Sequence, residues 1–183
     1  MPEKNVDFGY LQRETSMRFT MSHEFSCEPP ILWDIFFGHD EFERRLEEAT
    51  DVRREVLRHE MQDGVEYSLI RCSSKRNLPA PMAKALGMKT FVFDQENWLD
   101  RDKNTLRWKV ILPVMTERVR AEGTTVVTPS ESGCVRTIDG EIEVRIPLVG
   151  GKMEQKVAQS VQDSYARAAE IARELLLAEK LPA

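Results

Sequence analysis

The end of the chain constrains its fold most. From Val135 to Ile146 the even positions Ile138, Ile142, Val144 and Ile146 are apolar, while the odd positions Thr137, Asp139, Glu141, Glu143 and Arg145 are polar. Strand side chains alternate between two faces, so this pattern predicts a strand with one wet and one covered face. Pro147 and Gly150-Gly151 stop it, and a helical pattern follows from about Met153 to Glu179. Met153, Val157, Val161, Ser164, Ala168, Ile171, Ala172 and Leu175 fall on one stripe, opposite Gln155, Gln159, Gln162, Asp163, Glu170 and Arg173. A long helix with a small apolar face, following a one-faced sheet, is suited to lie across that sheet.

The rest of the chain supplies the sheet. Met17, Phe19, Met21, His23 and Phe25 alternate with Arg18, Thr20, Ser22 and Glu24, which predicts a first strand over 17–25. Ser26 to Pro30 is a helix start, with two prolines where backbone N–H groups lack partners anyway. Ile31 to Phe37 forms a short apolar helix, and Asp40-x-x-Glu43 resembles a capping box for a second one through Glu48. Strands are expected over 52–61, 65–73, 91–99, 106–112, 119–127 and 135–146. Asp63-Gly64, 100–104 and 129–133 serve as hairpin turns. Strands in series with helices at the ends imply an α+β layer fold rather than a parallel sheet. Residues 1–16 read as a polar N-terminal extension, and 17–183 as one domain.

Composition removes several function classes. The chain has 183 residues and a net charge of −5 with both signs interspersed, which does not fit the basic face of a nucleic-acid binder. Three cysteines, Cys27, Cys72 and Cys134, are far apart and form no metal-ligand spacing, which fits a reducing cytosol and no metal or cofactor. The N-terminus has no signal-peptide core, and no apolar run approaches the ~20 residues that span a bilayer, so a cytoplasmic location is expected. Gly150-Gly151 lacks a phosphate-loop lysine. His23-Glu24 and His59-Glu60 lack the second histidine of a zinc protease helix, and no Gly-x-Ser-x-Gly elbow occurs.

The element order strand, two short helices, six antiparallel strands and long helix resembles the helix-grip fold of the START-like (SRPBCC) superfamily. That superfamily includes birch-pollen-allergen-like proteins, lipid-transfer domains and polyketide cyclases. The local carriers are Met17-Arg-Phe-Thr-Met-Ser-His23 and Ile146-Pro-Leu-Val-Gly-Gly-Lys-Met-Glu154, which look most like an uncharacterised bacterial branch with lipid-binding and cyclase-like members. The resemblance covers roughly residues 17–179. It implies a seven-stranded antiparallel sheet curled around the C-terminal helix, with a cavity between them.

Alternation places Phe19, Met21, Tyr67, Leu69, Leu106, Trp108, Val110, Leu112, Val119, Ile142 and Val144 on covered faces. Across from them the helix offers Ser164 and Ala168 between Val157, Val161 and Leu175. Small residues there serve close packing or leave room for a ligand, and both readings stay open. His23 points inward either as a core histidine or as a contact to a ligand head group. Tyr67 is either packing or a polar contact, and Arg71 either reaches water or meets a ligand anion. Glu154 suits the first helical turn, and Tyr165 suits a clamp between helix and sheet. The insertion 78–88 is either a self-packed loop or a lid presenting Leu78, Met82, Leu86 and Met88.

The first reading is non-enzymatic binding or transport of a hydrophobic small molecule, whether lipid, sterol-like or polyketide-like. Its lining would be Phe19, Met21, His23, Tyr67, Leu69, Arg71, Trp108, Val110, Val157, Val161 and Ser164. Transient contact with a membrane surface is compatible with it. Two alternatives compete: a cyclase, aromatase or hydratase using His23 and Tyr67 for proton transfer, and a chaperone-activator-like interaction module using 78–88.

Overall fold

The computed structural model describes residues 16–80, 83–84, 87–112, 119–145 and 150–179, with all their side chains except those of residues 144, 150–154, 156, 157 and 179. The expected extension before Ser16, the strand end at Ile146-Pro147, the side chains of Met153, Glu154 and Val157, and the lid residues Met82 and Leu86 lie outside this description.

The elements in chain order are β1 (Ser16–Phe25), α1 (Pro29–Gly38), α2 (Asp40–Thr50), β2 (Val52–Gln62), β3 (Val65–Asn77), β4 (Thr90–Asp100), β5 (Thr105–Ile111), β6 (Val119–Ser130), β7 (Gly133–Val144) and α3 (Gly150–Glu179). The strands form one antiparallel sheet in the order β1-β7-β6-β5-β4-β3-β2. First and last strands are therefore neighbours, and the expected helix-grip arrangement is the observed one: a curled sheet with a long C-terminal helix. Asp63 and Gly64 both take left-handed φ, 49° and 83°, as a two-residue hairpin matched to strand twist requires.

Two rows of paired residues define the faces. One runs Phe19, Gly140, Gly123, Trp108, Asn97, Ser68, and the next runs Thr20, Asp139, Thr124, Arg107, Trp98, Tyr67. The Trp108 ring lies 6.5 Å from that of Tyr165 on α3, so the first row faces the helix and the second faces away. A Cβ on Gly140 would strike the ring of Phe19, and one on Gly123 would strike the ring of Trp108 and the carbonyl of Asp139. Glycine at this pair lets two aromatic rings lie flat on the inner face.

The core joins Phe19, Leu106, Trp108, Ile138 and Ile142 of the sheet to α1 and α3. Helix α1 contributes Leu32, Trp33, Ile35 and Phe36. Helix α3 contributes Ala168, Ala169, Ile171, Ala172, Leu175 and Leu176. Small residues on α3 allow its backbone close to its neighbours. Helix α1 is tied to the 101–104 turn by Trp33 Nε1 donating to Asn104 Oδ1 (3.2 Å) and Arg101 to Asp34 (2.8 Å). Helix α2 is tied to β2 by Arg54–Glu43 and to α3 by Arg45–Glu174.

Three expectations require correction. The α2 cap is His39, whose Nδ1 accepts from Phe42 N, and not Asp40; Glu43 turns instead to Arg54. On α3, Ser164 is exposed, because the covered stripe, which keeps the expected Val161, Ala168, Ile171, Ala172 and Leu175, passes through Tyr165 instead. On β3, Tyr67, Leu69 and Arg71 lie on the outer face, because Tyr67 pairs with Trp98 and Arg71 with Asp94, whereas Ser68, Ile70 and Cys72 point inward. Tyr67 is nonetheless buried, packed against Trp98 at 5.8 Å and beneath the Arg58 guanidinium at 5.6 Å.

Candidate ligand site beneath the C-terminal helix

The inner face of β1 and β7 brings His23 opposite Arg136. Arg136 is 3% exposed. Its Nη2 donates to the backbone oxygen of Tyr165 (3.1 Å) and lies 3.2 Å from His23 Nδ1. An arginine cannot accept, so His23 accepts through Nδ1 and its proton resides on Nε2. The guanidinium also sits over three rings: Phe36 at 4.6 Å, Phe25 at 5.5 Å and Tyr165 at 5.5 Å. These come from α1, β1 and α3, so the group is a junction of the fold.

No carboxylate among the described residues pairs with Arg136. Burial, partly offset by Tyr165 and reinforced by Arg173, pulls its pKa down to about 10, which leaves it charged at neutral pH. Burial first, then the charges of Arg136 and Arg173, lowers His23 to about 4, so the ring is neutral. Three buried polar atoms lack a partner among the described residues: Arg136 Nε, Trp108 Nε1 and Thr125 Oγ1. Two are obligate donors and the third is a hydroxyl that can donate.

Beyond Trp108 the polar groups are satisfied. Asn97, 1% exposed, donates to Ser68 Oγ (3.3 Å) and accepts from Gln95 Nε2 (2.7 Å). Toward the other end of the inner face, Met17, Phe91, Val110, Val119 and Val161 pack on the core but are only partly buried, as is Met21 beside Ile138. A hollow of about 360 Å³ lies at this end of β5–β7, lined by Val110, Leu112 and Val119 together with the outward-pointing Lys109, Ile111, Arg120, Glu143 and Arg145, and no described residue of α3 lines it. A larger hollow of about 620 Å³ lies over the glycine pair on the outer face, with Trp98, Arg18, Arg107, Lys109 and Glu141 among its walls.

Of the residues expected at the site, Phe19, Met21, His23, Trp108 and Val110 share the inner face, and Val161 packs against it from α3. Tyr67, Leu69, Arg71 and Ser164 do not join them, and His23 and Tyr67 stand on opposite faces of the sheet. Leu78 and Met88 pack against the core, with the insertion turned back by bonds from Ala83 N to Pro79 O and Met88 N to Ala83 O. Arg136, Thr125 and Asn97 escaped sequence reading. The available signal for Arg136 was its even number, which continues the covered face of β7 beyond Ile138. Among the described residues no group of three or more His, Cys, Asp or Glu could hold a metal, and no helix is long and apolar enough to cross a membrane.

Solved structures share this fold at low identity. The protein TTHA0849 from Thermus thermophilus is 17% identical with a TM-score of 0.61, over 91% of this chain and 100% of that one. The Zhui aromatase/cyclase from Streptomyces sp. R1128 is 9% identical with a TM-score of 0.57, over 87% and 92%. Norcoclaurine synthase from Thalictrum flavum is 14% identical with a TM-score of 0.57, over 89% and 87%. No curated protein matches by sequence. Residues 20–176 match the family described as "Protein of unknown function (DUF2505)", and the chain belongs to that family.

Proposed function

We propose that the protein binds a hydrophobic small molecule between the inner sheet face and α3, without chemistry of its own. The carrying observation is the partly covered apolar surface of Met17, Met21, Phe91, Val110, Val119 and Val161, continuous with a fully packed core on one side. Apolar surface left open in this way contributes ~25 cal/mol per Å² to whatever covers it. The fold supports the small-molecule part of the reading, since an aromatase/cyclase and a norcoclaurine synthase share it. Four residues singled out from the sequence complete the site: His23 and Trp108 on the polar side would orient the ligand, and Leu78 and Met88 near the mouth would cover it.

Native mass spectrometry of freshly purified protein, followed by solvent extraction, tests this. A bound apolar adduct, or uptake of the neutral dye N-phenyl-1-naphthylamine with a blue-shifted emission, is expected. A chain that carries nothing and leaves the dye in water sinks the proposal.

A further inference from the structure

The polar groups beneath α3 are unbalanced in one direction. Arg136 brings a charged guanidinium with Nε unpartnered, Trp108 an indole N–H and Thr125 a hydroxyl, and no carboxylate among the described residues answers them. The three lie on adjacent strands: Trp108 pairs with Gly123, two residues before Thr125, and Thr125 pairs with Ile138, two residues after Arg136. His23 offers one neutral acceptor and is already engaged by Arg136. Arg173 on α3 adds a second positive charge nearby, its guanidinium 5.3 Å over the Phe25 ring that Arg136 also covers. A chain with a net charge of −5 thus keeps one buried cation, with the exposed Arg173 near it, and no described carboxylate pairs with the buried one.

Burying a guanidinium without a counter-ion is unfavourable, and native interiors hold few donors without acceptors. An oxyanion supplies both missing elements, charge and acceptor lone pairs, and its bonds to such donors are charge-assisted. We infer that the ligand is an amphiphile with an oxyanion head, a carboxylate or a phosphate monoester on an apolar body. The head meets Arg136, Trp108 Nε1 and Thr125, and the body runs past Val110 and Val119 toward the partly open end. His23 is a positioning residue that holds the guanidinium through Nδ1. The inference rests on the binding reading above and narrows it to a ligand class.

The test is displacement of N-phenyl-1-naphthylamine from the full chain at neutral pH by three ten-carbon amphiphiles: decanoate, monodecyl phosphate and 1-decanol. In the wild type at least one anion should displace the dye at a concentration about ten-fold or more below that of the alcohol, as a charge-assisted contact would give. Whichever anion is stronger identifies the head. In Arg136→Met the anion and the alcohol should displace at the same concentration. Trp108→Phe and Thr125→Val, each removing one donor, should narrow the gap, and they carry the test should Arg136→Met not fold. An alcohol that competes as well as both anions in the wild type, or an undiminished preference in a folded Arg136→Met, overturns the oxyanion head and leaves the binding reading standing. A chain that takes up neither dye nor amphiphile, by fluorescence and by native mass spectrometry, overturns both.

Discussion

His23 and Arg136 face each other across the β1–β7 pair, with Nδ1 of one 3.2 Å from Nη2 of the other. Burial first, and then this contact with a buried cation, keeps the histidine ring neutral. A proton arriving on Nδ1 would remove the acceptor and set two positive charges side by side, with Arg173 adding to the repulsion.

The pH dependence of stability follows with a definite sign. The folded pKa of His23 is about 4, against 6.5 for an unperturbed ring. Between these values the unfolded chain binds the extra proton, so the stability tied to the neutral ring is complete above about pH 6.5 and is lost as pH falls toward 4. Burial shapes this first, followed by the charges of Arg136 on β7 and Arg173 on α3. Urea unfolding at pH 7, 6, 5 and 4 should show a steeper loss in the wild type than in His23→Gln. In NMR the His23 ring should hold its neutral chemical shift to below pH 5. A ring that titrates near 6.5 would remove the basis of this expectation.

Arg136 makes contrasting predictions for two truncations. Alanine would leave a void among Phe25, Phe36 and Tyr165 and should cost about 2–4 kcal/mol, as large-to-small core changes do. Methionine keeps most of the volume and removes the unpaired charge, so its cost should stay within about 1 kcal/mol or become a gain. Chemical denaturation of both variants gives the comparison. Equal losses would mean that the three ring contacts and the Tyr165 carbonyl bond outweigh the desolvation of the guanidinium.

Local pattern was enough for the element order, because strand alternation and the Asp63-Gly64 turn are decided by neighbours in sequence. Face assignment was harder where both faces are covered. On β3, Ile70 and Cys72 are buried inward while Tyr67 is buried outward against Trp98, so alternation of apolar residues does not choose between them. Only the register with β4 does. Arg136 was missed for a related reason: a charge at an even position reads as the end of the covered face. The rings that make burial tolerable arrive from α1, β1 and α3, distant in sequence. On the helix, Val161, Ala168, Ile171, Ala172 and Leu175 lie on the expected stripe, and only Ser164 among its described side chains falls outside it, because alanines on several sides leave the apolar direction weakly marked.

The glycine pair should be intolerant, and unequally so. At Gly123 an added Cβ meets the backbone oxygen of Asp139, which is fixed in the β6–β7 ladder. At Gly140 it meets the outer edge of the Phe19 ring, which a rotamer change can move. Gly123→Ala should therefore lose about 2–3 kcal/mol and Gly140→Ala about 1 kcal/mol, within the usual range for overpacking. Thermal melts of the two variants rank them, and the reverse order would mean that Phe19 is held more rigidly than the ladder.

Helix α3 provides the last contrast, between two neighbours on its surface. Ser164 is exposed, whereas Ala169 is 0% exposed and belongs to the packed core. Ser164→Glu should stay within about 0.5 kcal/mol of wild type, as a surface change does. Ala169→Leu should cost about 1–3 kcal/mol, because the added methylenes force the helix away from its close contacts. Were Ser164 on the ligand-facing stripe, a buried carboxylate there would be the more damaging of the two, and it would also abolish dye uptake. Measuring unfolding and dye binding on both variants separates these outcomes: an unchanged Ser164→Glu with full uptake fixes the helix rotation that aims Tyr165, and not Ser164, at Arg136.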